Sequence, residues 1–449
     1  MNTEKITKAV EKHEKLILDA ERHIWKNPET GFREWKTTAY LKEKYEALGY
    51  ELHMAGNIPG FYTDLDTGRP GPRVLVLGEL DSLIVRTHPE CDPETGAVHA
   101  CGHNAQCAAL LGVAAALREP GMLDGLCGSI RLCAVPAEEL IEMDFRQKLR
   151  NDGVISCLGG KAEFMARGYF DGCDIAFMVH TTSGEPYHVS CGKGCNGVIA
   201  KAFTYKGKAA HAGGSPNRGV NALYAANTGL SAVNALRETF LDSELIRFHP
   251  IMTEGGTAVN SIPDRVCLES YLRGNSFDAL IRENKKINRA LAAGAAAFGA
   301  GLEINDSCGF APFEQDDSLR AVAEKAAKSL IPPENVNFTA KRGASSTDMG
   351  DVCCVMPAVH PSVSGSEGGA HSSAYYITDP YSACVFSAKF QLGILFGLLS
   401  DGAAEAKKII ADFKPPFASI KDYLDFRAAL DRTIDAVSYA EDGTVTINL

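Results

Sequence analysis

The chain has 449 residues, with 45 Lys+Arg against 56 Asp+Glu for a formal net charge of −11, and 45% of its residues are hydrophobic. At ~150 residues per domain that is about three domain-equivalents, or two domains of which one is large, with enough apolar residues for a real core. Acidic balance argues against a nucleic-acid or anionic-membrane partner, no apolar run approaches the ~20 residues of a membrane-spanning helix, and the charged start MNTEKITKAVEKHEK lacks an export signal, so a soluble cytoplasmic protein is expected.

Residues 4 to 48 carry apolar residues at three- and four-residue spacing, which predicts helices broken at Asn27-Pro28-Glu29-Thr30-Gly31. Pro72 to Ile84 predicts a buried strand running into a loop, Cys107 to Arg118 an Ala/Leu helix, and Gly128 to Pro136 and Asp174 to His180 two further strands. Strands alternating with helices indicate an α/β layer with covered faces. Texture changes near Gly194. Strand 198–205, helix 219–239, strands 250–255 and 264–273, helix 276–298 and strand 301–305 follow in β-α-β-β-α-β order, the pattern of a ferredoxin-like unit. Helices at 317–330 and 382–399 then resume the α/β texture. The expected architecture is a discontinuous first domain, 1–193 and 310–449, with a smaller domain, 194–309, inserted into it. DGTVTINL at the C-terminus reads as an edge strand.

The sharpest chemical segment is His99-Ala-Cys101-Gly-His103-Asn104. Thiolate and imidazole both suit zinc-like metals, and Gly102 lets both side chains meet one site; the pair also reads as two buried structural residues. Glu138 and Glu139 follow an apolar strand, where open α/β sheets place functional loops. Adjacent carboxylates there suit one metal ligand and one proton carrier, or a solvated helix start. His180 ends an apolar strand and His371 sits in the Gly-rich EGGAHSS, each a ligand or a plain polar residue. Asp81 can orient a ligand imidazole or act as a cap. Together, Cys, His, Glu, Glu and His at successive strand ends, with a late His, are enough donors for two metals. The 14 cysteines include no CxxC, so free thiols are expected and Cys101 alone is singled out.

This ordered set resembles the M20 family of metallopeptidases and amidohydrolases, in its subfamily D type of aminobenzoyl-glutamate hydrolase, dipeptidases and hippurate hydrolase. The cues are Asn27 to Glu34, Gly78 to Leu83, His99 to Asn104, Pro136 to Glu139, Gly207 to Ala212 with Pro216, Gly255 to Asp264 and Ser346 to Asp351. The resemblance implies a zinc-peptidase-like catalytic domain with a mixed sheet covered by helices, and an inserted α+β lid and dimerisation domain. It implies two divalent metal ions (zinc, manganese or cobalt) held by Cys101, His103, Glu139, His180 and His371, with Glu138 as general base and acid. It also implies that His211 and Asn260 steady the oxyanion, with His211 supplied across a homodimer, and that Asp81 takes part at the site. Arg273 is a clamp for a substrate carboxylate or a solvated strand-end charge. The implied substrate is an N-acyl amino acid or a dipeptide. Asn104 and Gln106 stand where many members carry Asp and His, and Glu79 where many carry Asp. The non-catalytic alternative is a retired homologue that binds amino acids or peptides. Gly192-Lys-Gly-Cys-Asn-Gly197 matches G-x-G-x-x-G, but a strand follows it and no acid lies ~20 residues on, so no dinucleotide site is expected.

Overall fold

The computed structural model describes residues 3–183 and 188–449. They divide into two compact units. The first is Met1–Gly194, Glu314–Arg342 and Asp351–Lys421; the second is Cys195–Phe313, Gly343–Gly350 and Asp422–Leu449.

In the first unit a mixed sheet runs in the order His53–Met54, Phe61–Asp66, Ser129–Val135, Arg73–Glu79, Ile175–Phe177, Ala358–Val359. Its central strand, RVLVLGE, is parallel to both neighbours and buried from Val74 to Glu79, which is why its apolar run is continuous. The helix His103–Leu117 is buried along its whole length and so has no polar stripe. It packs against that strand and against the helices Glu14–Trp25 and Ser387–Leu399. It starts four residues before the expected Cys107, because Gly102 adopts φ 87° and opens the helix there. A Cβ at Gly102 would lie 2.6 Å from Thr181 Oγ1, so this turn needs glycine on both counts. Among the described residues one helical run, Tyr381–Leu399, is apolar and long enough to cross a membrane, and most of it is buried in this core.

The strand expected over 174–180 is two strands in two sheets. Ile175–Phe177 belongs to the central sheet, whereas His180–Ser183 pairs in parallel with Ser362–Glu367 in a second sheet that also contains Val189–Cys191. The chain changes sheet at Met178–Val179, and periodicity cannot distinguish one buried strand from two in line.

The second unit is built on a sheet in the order Arg247–Phe248, Arg265–Gly274, Gly197–Lys206, Gly301–Phe310, Arg432–Asp435, with Ile251–Glu254 also pairing Arg265–Gly274. Helices Ala222–Leu236 and Phe277–Phe298 cover it around their own core. Asn221 and Ser276 cap them, each side chain accepting a first-turn N–H. The expected boundaries differ from those of the two units. Residues 310–313, 343–350 and 422–449, expected in the first domain, belong to the second unit, and Gly194 belongs to the first. The C-terminal strand Arg432–Asp435 pairs with Gly301–Phe310 and supplies the sheet edge, while Val445–Ile447 pairs only with Val437–Tyr439. Ala436 and Val437 are core residues of this unit, and that apolar burial is what holds the extension there.

Candidate metal centre

Three turns of the first unit bring the donors together. Cys101 and His103 flank the Gly102 turn at the start of the buried helix. Glu138 and Glu139 follow the strand Ser129–Val135, and His180 opens the strand of the second sheet. His371 comes from the late Gly-rich loop, where its N–H donates to Ala100 O at 2.8 Å. One ligand atom each of Cys101, His103 and His180 lies within 4.8 Å of the others, and the same holds for Cys101, Glu139 and His371 and for His103, Glu138 and Glu139. Cys101 is common to the first two groups.

The 136–139 turn is held under strain. Ala137 adopts φ 57°, a left-handed conformation that costs an alanine about 1–2 kcal/mol. Buried Glu34 accepts the Ala137 N–H at 2.7 Å, while Arg146 donates to Ala137 O at 3.2 Å, to Leu158 O at 2.6 Å and to Glu139 O. Gly31 passes so close that a Cβ there would lie 2.9 Å from Ala137 Cα. The Asn27 to Glu34 motif therefore serves as the clamp on the glutamate turn.

The imidazoles are oriented by their outer nitrogens. His103 Nδ1 faces two acceptors of Asp81, the backbone O at 2.9 Å and Oδ1 at 3.2 Å, so it carries the proton. Nε2 is then the nitrogen left to face a ligand; it is buried, with Glu79 Oε2 3.2 Å away. His180 Nδ1 donates to Thr181 O at 2.5 Å, and its Nε2 lies 3.6 Å from Cys101 Sγ. Asp81 also accepts the Glu139 N–H at 2.8 Å, so one carboxylate sets both His103 and the glutamate turn. His371 Nε2 pairs with the buried Glu139 Oε1 at 3.2 Å.

Charge is balanced internally in one sense. Burial would raise the Cys101 thiol, but His103 and His180 bring it down to about 6. Hydrogen bonds to Cys101 and Glu139 push His371 up to about 10. Burial would lower His103, yet Glu79 and Cys101 hold it well above the usual histidine range. Burial would raise Glu139, yet His371 and His103 hold it low. Protonated imidazoles here meet a demand for positive charge that a divalent cation meets equally well. The buried His103 Nε2 and Glu139 Oε1, with thiolate, imidazole and carboxylate donors close together, fit such a cation.

Some site residues carried no role in the sequence reading. Lys161 is 0% exposed and paired with Glu79, which is 1% exposed. Gln106 Nε2 donates to the same carboxylate at 2.9 Å, and Glu79 Oε2 lies 3.2 Å from His103 Nε2. Asn104 donates to Glu21 at 2.7 Å. The departures at 104 and 106 thus hold buried carboxylates. A lysine inside the apolar helix Gly160–Ala166 was the available signal for the ion pair, and only its partner's position gave it meaning.

His211, Asn260 and Arg273 belong to the second unit. His211 and Asn260 are adjacent there: Ala212 N donates to Asn260 O at 2.9 Å, and His211 bridges to Ser261. Arg273 donates to Ser346 Oγ at 2.8 Å and to His249 Nε2 at 3.2 Å, with no carboxylate within ion-pair distance among the described residues.

The profile of peptidase family M20/M25/M40 matches residues 75–393. The chain is 27% identical over 337 residues to the N-acetyl-L-cysteine deacetylase of Bacillus subtilis, covering 71% of this chain and 75% of that protein. It is 28% identical over 372 residues to the human (Homo sapiens) Xaa-Arg dipeptidase, covering 79% and 78%. Its fold is similar to that of a dinuclear metal-binding peptidase of the M20 family from Bacillus subtilis, with a TM-score of 0.65 at 18% identity over 87% of this chain and 99% of that one. The chain therefore belongs to peptidase family M20/M25/M40 and is an amide-bond hydrolase of that family.

Proposed function

We propose that the protein hydrolyses the amide bond of an N-acyl amino acid or a dipeptide at a two-metal centre formed by Cys101, His103, Glu139, His180 and His371. The observation that carries this reading is the pair of donor groups sharing Cys101, Cys101–His103–His180 and Cys101–Glu139–His371. Zinc, manganese and cobalt all suit this donor set. Divalent cations bound there supply Lewis acidity that polarises the scissile carbonyl and makes water more acidic.

Glu138 neighbours His103 and Glu139, takes the proton of the attacking water and delivers it to the leaving amine. Asp81 keeps His103 and the glutamate turn in register for that transfer. His211 and Asn260 hydrogen-bond the oxyanion, and Arg273, which has no acidic partner among the described residues, takes the substrate carboxylate. The second unit acts as lid and as homodimer contact, supported by its exposed apolar edge strand, where Ile251 is 61% and Met252 43% exposed.

The test combines metal analysis, chelator treatment and a panel of N-acyl amino acids and dipeptides. Glu138→Gln is expected to lower kcat by ~10²–10⁴-fold while keeping the metal. A metal-loaded protein that binds the panel, cleaves none of it and is unaffected by Glu138→Gln is a binding protein.

A further inference from the structure

The loop after His211 spends its backbone donors in an unusual way. Ala212 N–H goes to Asn260 O at 2.9 Å and Ser215 N–H to His211 O at 3.0 Å. The two between them, Gly213 and Gly214, both donate to the ring nitrogen Nδ1 of His211, at 3.1 and 2.9 Å. A ring nitrogen that accepts hydrogen bonds carries no proton, and in the neutral ring the proton then sits on the other nitrogen.

We propose that the Gly213 and Gly214 N–H groups lock His211 as its Nε2–H tautomer, making it a hydrogen-bond donor and not a proton acceptor. Space is not what the two positions supply. A Cβ at Gly213 would lie 3.6 Å from the ring and one at Gly214 3.4 Å, both ordinary contacts. Their contribution is the N–H itself. Resting on the reading of His211 as an oxyanion donor, this assigns the glycines as positioning residues and divides the chemistry: Glu138 moves protons, while His211 donates through Nε2 and takes none. A histidine free to change tautomer would present a lone pair to the oxyanion part of the time, and a lone pair there repels.

Nitrogen NMR of the full-length protein labelled with ¹⁵N-histidine tests the lock, the His211 signals being those lost in His211→Gln. The expected result is a pyridine-type Nδ1 and a pyrrole-type Nε2; the reverse assignment, or an averaged pair, overturns the proposal. Gly214→Ala retains the donor and is expected to retain the signature, whereas Gly214→Pro removes the donor and is expected to shift it towards the average. With the donor gone, kcat should be about tenfold lower in Gly214→Pro than in Gly214→Ala, at equal KM. Equal spectra and equal kcat in the two variants also overturn it. The spectrum is independent of turnover. If His211→Ala hydrolyses at the wild-type rate while the wild-type signature stands, the oxyanion reading fails and the lock survives.

Discussion

Cys101 is the residue on which both donor groups depend, and that sharing has a measurable consequence. His180→Ala and His371→Ala each remove a donor from one group, whereas Cys101→Ala removes one from both. Metal titration should show one weakened site in each histidine variant and two in Cys101→Ala. Retention of one full-affinity metal by Cys101→Ala would mean that the thiolate serves a single ion. The thiol also has a pH signature after chelation. Its folded value near 6 lies below its ordinary 9.0, so its thiolate adds stability that is complete above about 9 and is lost as pH falls through about 6. Alkylation of the metal-free protein should accordingly show a component with a midpoint near pH 6 that Cys101→Ala abolishes.

Helix Phe277–Phe298 lies on the sheet of the second unit over a buried ionic cluster. Lys201, from the strand Gly197–Lys206, donates to Asn284 Oδ1 at 2.8 Å, to Asn288 Oδ1 at 2.6 Å and to Asp306. Both amides return a hydrogen bond to Asp306 Oδ2, at 2.7 and 2.8 Å. Every member has a partner, so the cluster fixes the helix on the sheet without an orphaned charge. Lys201→Met strands the Asp306 carboxylate and should cost ~3–5 kcal/mol in chemical denaturation, and replacing Asp306 by leucine as well should recover part of that. The same helix meets Ala222–Leu236 through glycines. A Cβ at Gly294 would lie 2.6 Å from Gly229 Cα, so Gly294→Ala should destabilise this unit by ~1–3 kcal/mol, read from its urea midpoint. An unchanged midpoint would show that the helices can slide apart.

Across the whole molecule, the second unit is completed by the end of the chain. Arg432–Asp435 covers the edge of Gly301–Phe310, Ala436 and Val437 enter the core, and Tyr439 OH donates to Ala300 O at 2.8 Å. Arg427 donates to Cys308 O at 2.9 Å. Truncation after Lys421 uncovers that strand edge and those apolar residues. The expected outcome is a second unit that unfolds at lower urea and self-associates, with the first unit's transition in place; a truncated chain with both transitions unchanged would show the extension to be dispensable.

Element types and the inserted β-α-β-β-α-β unit were legible in the chain, and candidate donors could be picked out, because each rests on local information: 3.6- or 2-residue periodicity, glycine at a turn, ligand chemistry two or three residues apart. Tertiary structure alone decided which donors meet. Nothing local in 101, 139, 180 and 371 says that two groups share one thiol, or that Glu34, Arg146 and Gly31 clamp the glutamate turn. The same holds for Lys161 and Glu79, and for a C-terminal strand that returns more than a hundred residues to pair with Gly301–Phe310. Short-range sterics and hydrogen bonding write a local pattern into the sequence. A contact made by burial of distant segments leaves none, since any apolar strand or buried charge of the right sign satisfies it equally well until the chain has folded.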